Sequence, residues 1–326
     1  MDTDTTRLSI TRRAALLGGL AVFATAPMAR AQSTLTVVAT TGMIADAVRR
    51  VGGDSVTVRA LMGPGVDPHG YRQTRSDIVA MTRADLTLWH GLYLEAQMER
   101  FFEELGGKRP VIAVAEAVDK DLLLQHADYE GRYDPHVWMD PLIWSGVVDE
   151  ILRALNAARP DMADVFARNA KAFQQEIKQL AAFAETAMAK VPQGARVLVT
   201  AHDAFSYFGK AYGFEVIGIQ GISTNSEAGL NRISELVDTL VTRNIGAVFV
   251  ETSVSDRNMR ALIEGAAARD HEVVIGGALF SDAMGPDGTY EGTYIGMIDH
   301  NVTTIARALG ADLAPGGMAG KLTGGS

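Results

Sequence analysis

The 326-residue sequence contains no cysteine. That single absence excludes a disulfide framework, a thiolate metal site, an iron–sulfur cluster, thiol catalysis and a lipid carried on cysteine. Positive charge is also short, with 30 Lys and Arg against 39 Asp and Glu and a net charge of −9. No overall basic footprint invites nucleic acid or an anionic membrane surface. Enzyme signatures are missing too: there is no H-E-x-x-H, no G-x-x-x-x-G-K-[ST] and no G-x-S-x-G. Gly63-Pro64-Gly65 lacks the spacing of a dinucleotide fingerprint. What remains is 47% hydrophobic and 21% charged, ordinary for a folded protein with a sizeable core. At roughly 150 residues per domain, the length predicts two domains.

The N-terminus reads as an address. Arg12-Arg13 precede an apolar stretch over 14–24, and Ala29-Arg30-Ala31 is a small-x-small cleavage site. The stretch is shorter than the roughly 20 residues a bilayer span needs, and Gly18-Gly19 weaken it as a helix. Residues 1–31 are therefore expected to be a cleaved export signal. Thr11-Arg12-Arg13 resembles a twin-arginine signal, although Sec signals also carry arginines. Cleavage would leave 326 − 31 = 295 residues starting at Gln32. No later run reaches about 18 apolar residues. The expectation is a periplasmic, freely diffusing monomer with no membrane anchor of its own.

Short β-rich runs then alternate with amphipathic stretches, the pattern of parallel α/β layers. Strands are expected over 35–40, 56–61, 86–89 and 111–114, then over 196–200, 214–219, 247–250 and 272–275. Helices are expected over 43–51, 75–84, 93–105 and 142–158, then 205–212, 227–243, 255–269 and 292–309. The fold class is thus α/β: two Rossmann-like lobes with four-stranded, mostly parallel sheets, at 32–159 and 192–314. Between them, Phe166, Phe173, Ile177, Leu180, Ala184, Ala187 and Met188 recur on one helical face. Pro160 and Pro192 bracket this segment, and Asp161 suits a helix start. Its 30 residues from Asp161 to Lys190 would rise about 45 Å, which predicts one long rigid helix over 160–191 rather than a hinge. The glycine-rich tail, 315–326, is expected to be flexible.

Chemistry gathers at a few histidines. His69 lies in Asp67-Pro68-His69 after the second strand, and His136 in a second copy, Asp134-Pro135-His136. His202 follows the strand at 196–200, and Asp282 lies beyond the strand at 272–275. In open α/β sheets, ligands bind outside the carboxyl ends of strands. Proline presets each of the two turns. Three imidazoles and a carboxylate make a closed four-coordinate set, suited by its nitrogens to zinc, copper, iron or nickel and open to manganese through its carboxylate.

These residues carry a resemblance. The mature chain resembles the TroA-like zinc/manganese-binding proteins of ABC importers, the cluster 9 or cluster A-I family. Besides both Asp-Pro-His turns, the matching motifs are Thr40-Thr41-Gly42-Met43-Ile44, Gly221-Ile222-Ser223-Thr224-Asn225-Ser226-Glu227, Val250-Glu251-Thr252-Ser253-Val254 and Leu279-Phe280-Ser281-Asp282-Ala283-Met284-Gly285. The resemblance implies two α/β lobes on one long helix, with metal ligands at His69, His136, His202 and Asp282. It also implies delivery of the ion to an inner-membrane permease driven by a separate ATPase. Many manganese-specific members carry glutamate at position 202, so His202 favours zinc. Dedicated zinc members carry a long His/Asp-rich loop before the second turn, and residues 125–133 hold one histidine, so zinc leads manganese only slightly.

Other residues draw weaker expectations. His90 reads as a structural histidine, and His126, His271 and His300 as surface positions. Glu251 is expected beside the ligands rather than among them, and Asp140 is a candidate to orient His136. Trp89, Trp138 and Trp144 read as core or cleft wall. Two alternatives stand beside a metal receptor. One is a secreted zinc hydrolase, which would need an open coordination position. The other is an exported adhesin.

Overall fold

Apolar, β-branched runs build the first sheet. In the computed structural model, which describes residues 1–2, 34–126, 129–226 and 228–322, β1 (Leu35–Ala39) lies between β2 (Val56–Ala60) and β3 (Leu86–Trp89). β4 (Val111–Ala113) completes the parallel order β2-β1-β3-β4. Val37 pairs with Val58 on one side and Leu86 on the other, so the central strand is buried as parallel sheets require. The export segment and Glu227 lie outside the described residues. Among those described, no helix is long and apolar enough to cross a membrane.

Helices α1 (Gly42–Gly52), α2 (Arg75–Arg83) and α3 (Glu99–Gly106) make the crossovers. Thr41 caps α1 by accepting the Ile44 N–H, and Thr74 with Asp77 forms a reciprocal capping box on α2. The helix expected from residue 93 starts later, at Glu99. Leu92 and Tyr93 adopt left-handed backbone (φ 52° and 69°), while Glu95 accepts the N–H groups of His90 and Gly91. That carboxylate holds a turn where a helix was expected.

Helix α4 (Pro141–Ala158) leads through a short turn at Pro160–Met162 into α5 (Ala163–Ala189). Its 27 residues rise about 40 Å. The buried stripe Phe166, Phe173, Ile177, Leu180, Ala184 and Met188 is the one read from periodicity. It packs on α1 and α4 of the first half and on α6 (Ser206–Tyr212) and α9 (Tyr294–Ala308) of the second.

The second half departs from the expected four-stranded sheet. β5 (Val197–Thr200) pairs with β6 (Glu215–Gly218), and β7 (Ala247–Glu251) with β8 (Val274–Leu279), as two parallel pairs. β5 and β7 lie side by side without a shared ladder. At their carboxyl ends a side chain takes the place of a ladder bond: Glu251 Oε1 accepts the His202 N–H at 2.8 Å. Helices α7 (Leu230–Thr242) and α8 (Arg257–Ala267) cover these strands through a satellite core of Leu236, Leu240, Met259 and Leu262.

α9 returns to the first half. The Tyr294 N–H donates to buried Asp46, its hydroxyl donates to the Trp138 carbonyl, and its ring stacks on Trp144 at 5.4 Å. One apolar core therefore runs from β1 through α5 to α9. The tail expected to be flexible is pinned as far as it is described, because buried Asp299 accepts the Met318 N–H at 2.9 Å.

Candidate metal centre

The two Asp-Pro-His copies fold alike, and the aspartate is the reason. Asp67 Oδ1 accepts the His69 N–H at 2.8 Å, and Asp134 Oδ1 accepts the His136 N–H at 2.9 Å. Each is an Asx turn that projects an imidazole inward. His202 leaves the end of β5 and Asp282 leaves the end of β8. Asn301 fixes the second exit by bonding both the N–H and the carbonyl of Phe280.

All four side chains converge, and all are buried. Their donor atoms lie within 4.8 Å of one another. His69 Nε2 is 3.3 Å from His136 Nε2, and Asp282 approaches the Nε2 atoms of His136 and His202 at 3.3 and 3.2 Å and that of His69 at 3.9 Å. Donors about 2.1 Å from a tetrahedral ion stand about 3.4 Å apart, so the spacing fits a transition-metal ion. The chemistry fits as well. Both Asp282 oxygens and His202 Nε2 are buried without a well-directed hydrogen bond, a costly state that a cation would relieve.

Carboxylates behind the donors set their tautomers. Asp134 Oδ1 takes His136 Nδ1 at 2.7 Å, and Glu251 Oε2 takes His202 Nδ1 at 2.5 Å. Each leaves Nε2 free to face the cluster. Asp140, the residue expected to orient His136, instead caps α4 by accepting the Leu142 N–H at 2.8 Å. The Asx turn keeps Asp134 closer to the ring. The signal is in the motif itself, since an aspartate two residues before the histidine can reach its N–H.

The electrostatics follow. Burial alone would lower His136, but the Asp134 and Asp282 carboxylates outweigh it and push its pKa up to about 9. Burial likewise opposes His202, yet Glu251 and Asp282 hold it well above its ordinary value. Burial would raise Asp282, but the surrounding imidazoles keep it well below the usual carboxylate range. His69 has no carboxylate at Nδ1 among its contacts here, and burial lowers it to about 3.

The remaining histidines lie outside the cluster. His90 is fully buried, with Nε2 2.7 Å from the Pro135 carbonyl and its ring edge-on to Trp138. His126, expected at the surface, is buried, and its backbone N–H donates to the Arg132 carbonyl. An antiparallel bridge pairs Gln125, next to it, with Tyr133. His271 and His300 reach the carbonyls of Ile245 and Ala278. Trp138 and Trp144 are core, and the Trp138 indole N–H donates to the Ser281 carbonyl beside Asp282. A cleft of about 180 Å3 lined by Thr41, Met62, Val66 and Met284 opens onto Asp282.

Two parallel-sheet lobes on a shared long helix, with a cation-sized donor set drawn from two loops of the first and two strand ends of the second, define the class: a two-lobed solute-binding protein. Residues 37–308 match the family described as zinc-uptake complex component A, periplasmic, and the chain belongs to it. It is 48% identical over 280 residues to the manganese-binding lipoprotein MntA of Bacillus subtilis, covering 86% of this chain and 91% of that one. It is 46% identical over 275 residues to the zinc-binding protein TroA of Treponema pallidum, covering 84% and 88%. The solved structure of TroA from Treponema pallidum aligns with a TM-score of 0.82 at 45% identity, over 85% of this chain and 99% of that one. These relatives are binding proteins by name, which supports neither the hydrolase nor the adhesin reading.

Proposed function

We propose that this protein captures a divalent transition-metal ion outside the cytoplasmic membrane and delivers it to an ABC permease powered by a separate ATPase. His69, His136 and His202 supply nitrogen and Asp282 supplies oxygen. The observation that carries this is the spacing: four buried donors within 4.8 Å of one another, at separations near a tetrahedral edge. Similarity to a manganese-named and a zinc-named relative is nearly equal, so overall likeness does not select the metal. The donor set does. Three imidazoles and one carboxylate favour zinc over manganese by ligand type and by the Irving–Williams order. Asp282 fills the fourth place, which supports a receptor rather than a hydrolase with a free water position.

The deciding experiment is a competitive titration of chelator-stripped protein with buffered Zn²⁺ and Mn²⁺, with His202→Glu as comparison. The expected result is one saturable site that prefers zinc, with the variant shifted towards manganese. No saturable site for either ion would overturn the assignment.

A further inference from the structure

His69 differs from the other donors in how its backbone is held. Its carbonyl accepts Asn225 Nδ2 at 3.0 Å. Its N–H is held by Asp67 Oδ1, and the other Asp67 oxygen accepts the Thr224 hydroxyl at 2.5 Å. Both grips on the His69 turn therefore end on adjacent residues, Thr224 and Asn225, 157 and 156 positions further along the chain. These bonds are only part-buried, and Asn225 is exposed. The other donors are held from inside. Buried Asp134 and Glu251 hold His136 and His202, and the buried Trp138 indole holds the Ser281 carbonyl next to Asp282.

We propose that Thr224 and Asn225 form a latch across the cleft, positioning residues that keep His69 in the donor set and so set how long the ion stays. The proposal rests on the metal-binding function above. Two hydrogen bonds within reach of water exchange for bonds to water at little net cost, whereas freeing His136 or His202 strands a buried carboxylate. The loop between β2 and α2 carries His69 and no other donor. Opening the latch therefore loosens one ligand while the remaining three keep their supports. Ion release begins at His69, from the side facing Thr224 and Asn225. This gives a physical task to Thr224 and Asn225, which touch the turn of a donor and not the donor set.

The test is a stopped-flow chase of zinc from the full-length protein into excess chelator. Thr224→Val, Asn225→Ala and the double variant remove the grips, and Thr224→Ser restores the hydroxyl. The double variant should raise koff about tenfold with a smaller change in kon, and Thr224→Ser should stay near the parent. Co²⁺ absorption should keep its four-coordinate band in every variant, because all donors remain. A double variant with koff within about twofold of the parent overturns the latch. So does a loss of metal-free melting temperature with koff unchanged, the mark of a purely structural role. Failure of the parent to bind zinc would remove the metal-binding reading and the latch together, whereas tight parental binding with an unchanged double variant removes the latch alone.

Discussion

Glu251 and Asp134 each hold one imidazole by Nδ1, from positions outside the donor set. Glu251→Gln or Asp134→Asn should weaken zinc binding about 10- to 100-fold without loss of stoichiometry, measured by chelator competition. Proton linkage gives a second prediction. With His136 raised to about 9 and His202 also raised, the metal-free protein at pH 7 carries a proton on each. Binding should then release about two protons, which calorimetry in buffers of different ionisation enthalpy would count. Apparent affinity should climb with pH up to about 9, a window well above the pH 6 that an ordinary histidine suggests. The sign for stability is the reverse. A histidine whose folded pKa exceeds its unfolded value stabilises fully below about pH 6.5, and that contribution is lost as pH rises through about 9. Melting of the metal-free protein should fall across that interval, and melting of the zinc-loaded protein should not.

Helix α5 was readable because its apolar residues repeat at one face without interruption. Phe173 and Ile177 are buried as that pattern requires. Phe173→Ala should cost about 3–5 kcal/mol in denaturant unfolding while leaving one ion per chain. β8 was less legible. The expected strand ends at residue 275, just before Gly276-Gly277, yet the strand runs to Leu279. A register shift lets Phe249 pair with Gly277 after Val248 pairs with Ile275. A Cβ on Gly276 would meet Ala308 and the Phe249 ring at 2.9 Å, so the glycines serve the close approach of α9 to the strand. The four side chains that converge could be singled out because each stands in a motif or at a strand end. Their supports could not. Glu251 lies 49 positions from His202, and Thr224 lies 157 from Asp67, distances that only the folded chain closes.

At the scale of the molecule, α5 and α9 join the two halves through one apolar core. Wide hinge closure would have to tear that core open. Small-angle scattering should give a radius of gyration of about 19 Å for the mature chain both with and without zinc. Thermal unfolding should show one cooperative transition, raised by about 4 kcal/mol when free zinc exceeds Kd a thousandfold. The unbroken core has a consequence for the cell as well. Where opening must break that shared core, the energy of one bound ion protects both halves at once. Proteases that act on opened molecules will therefore clear the empty receptor faster than the loaded one. Metal supply is recorded in how long the protein survives, not in its outline.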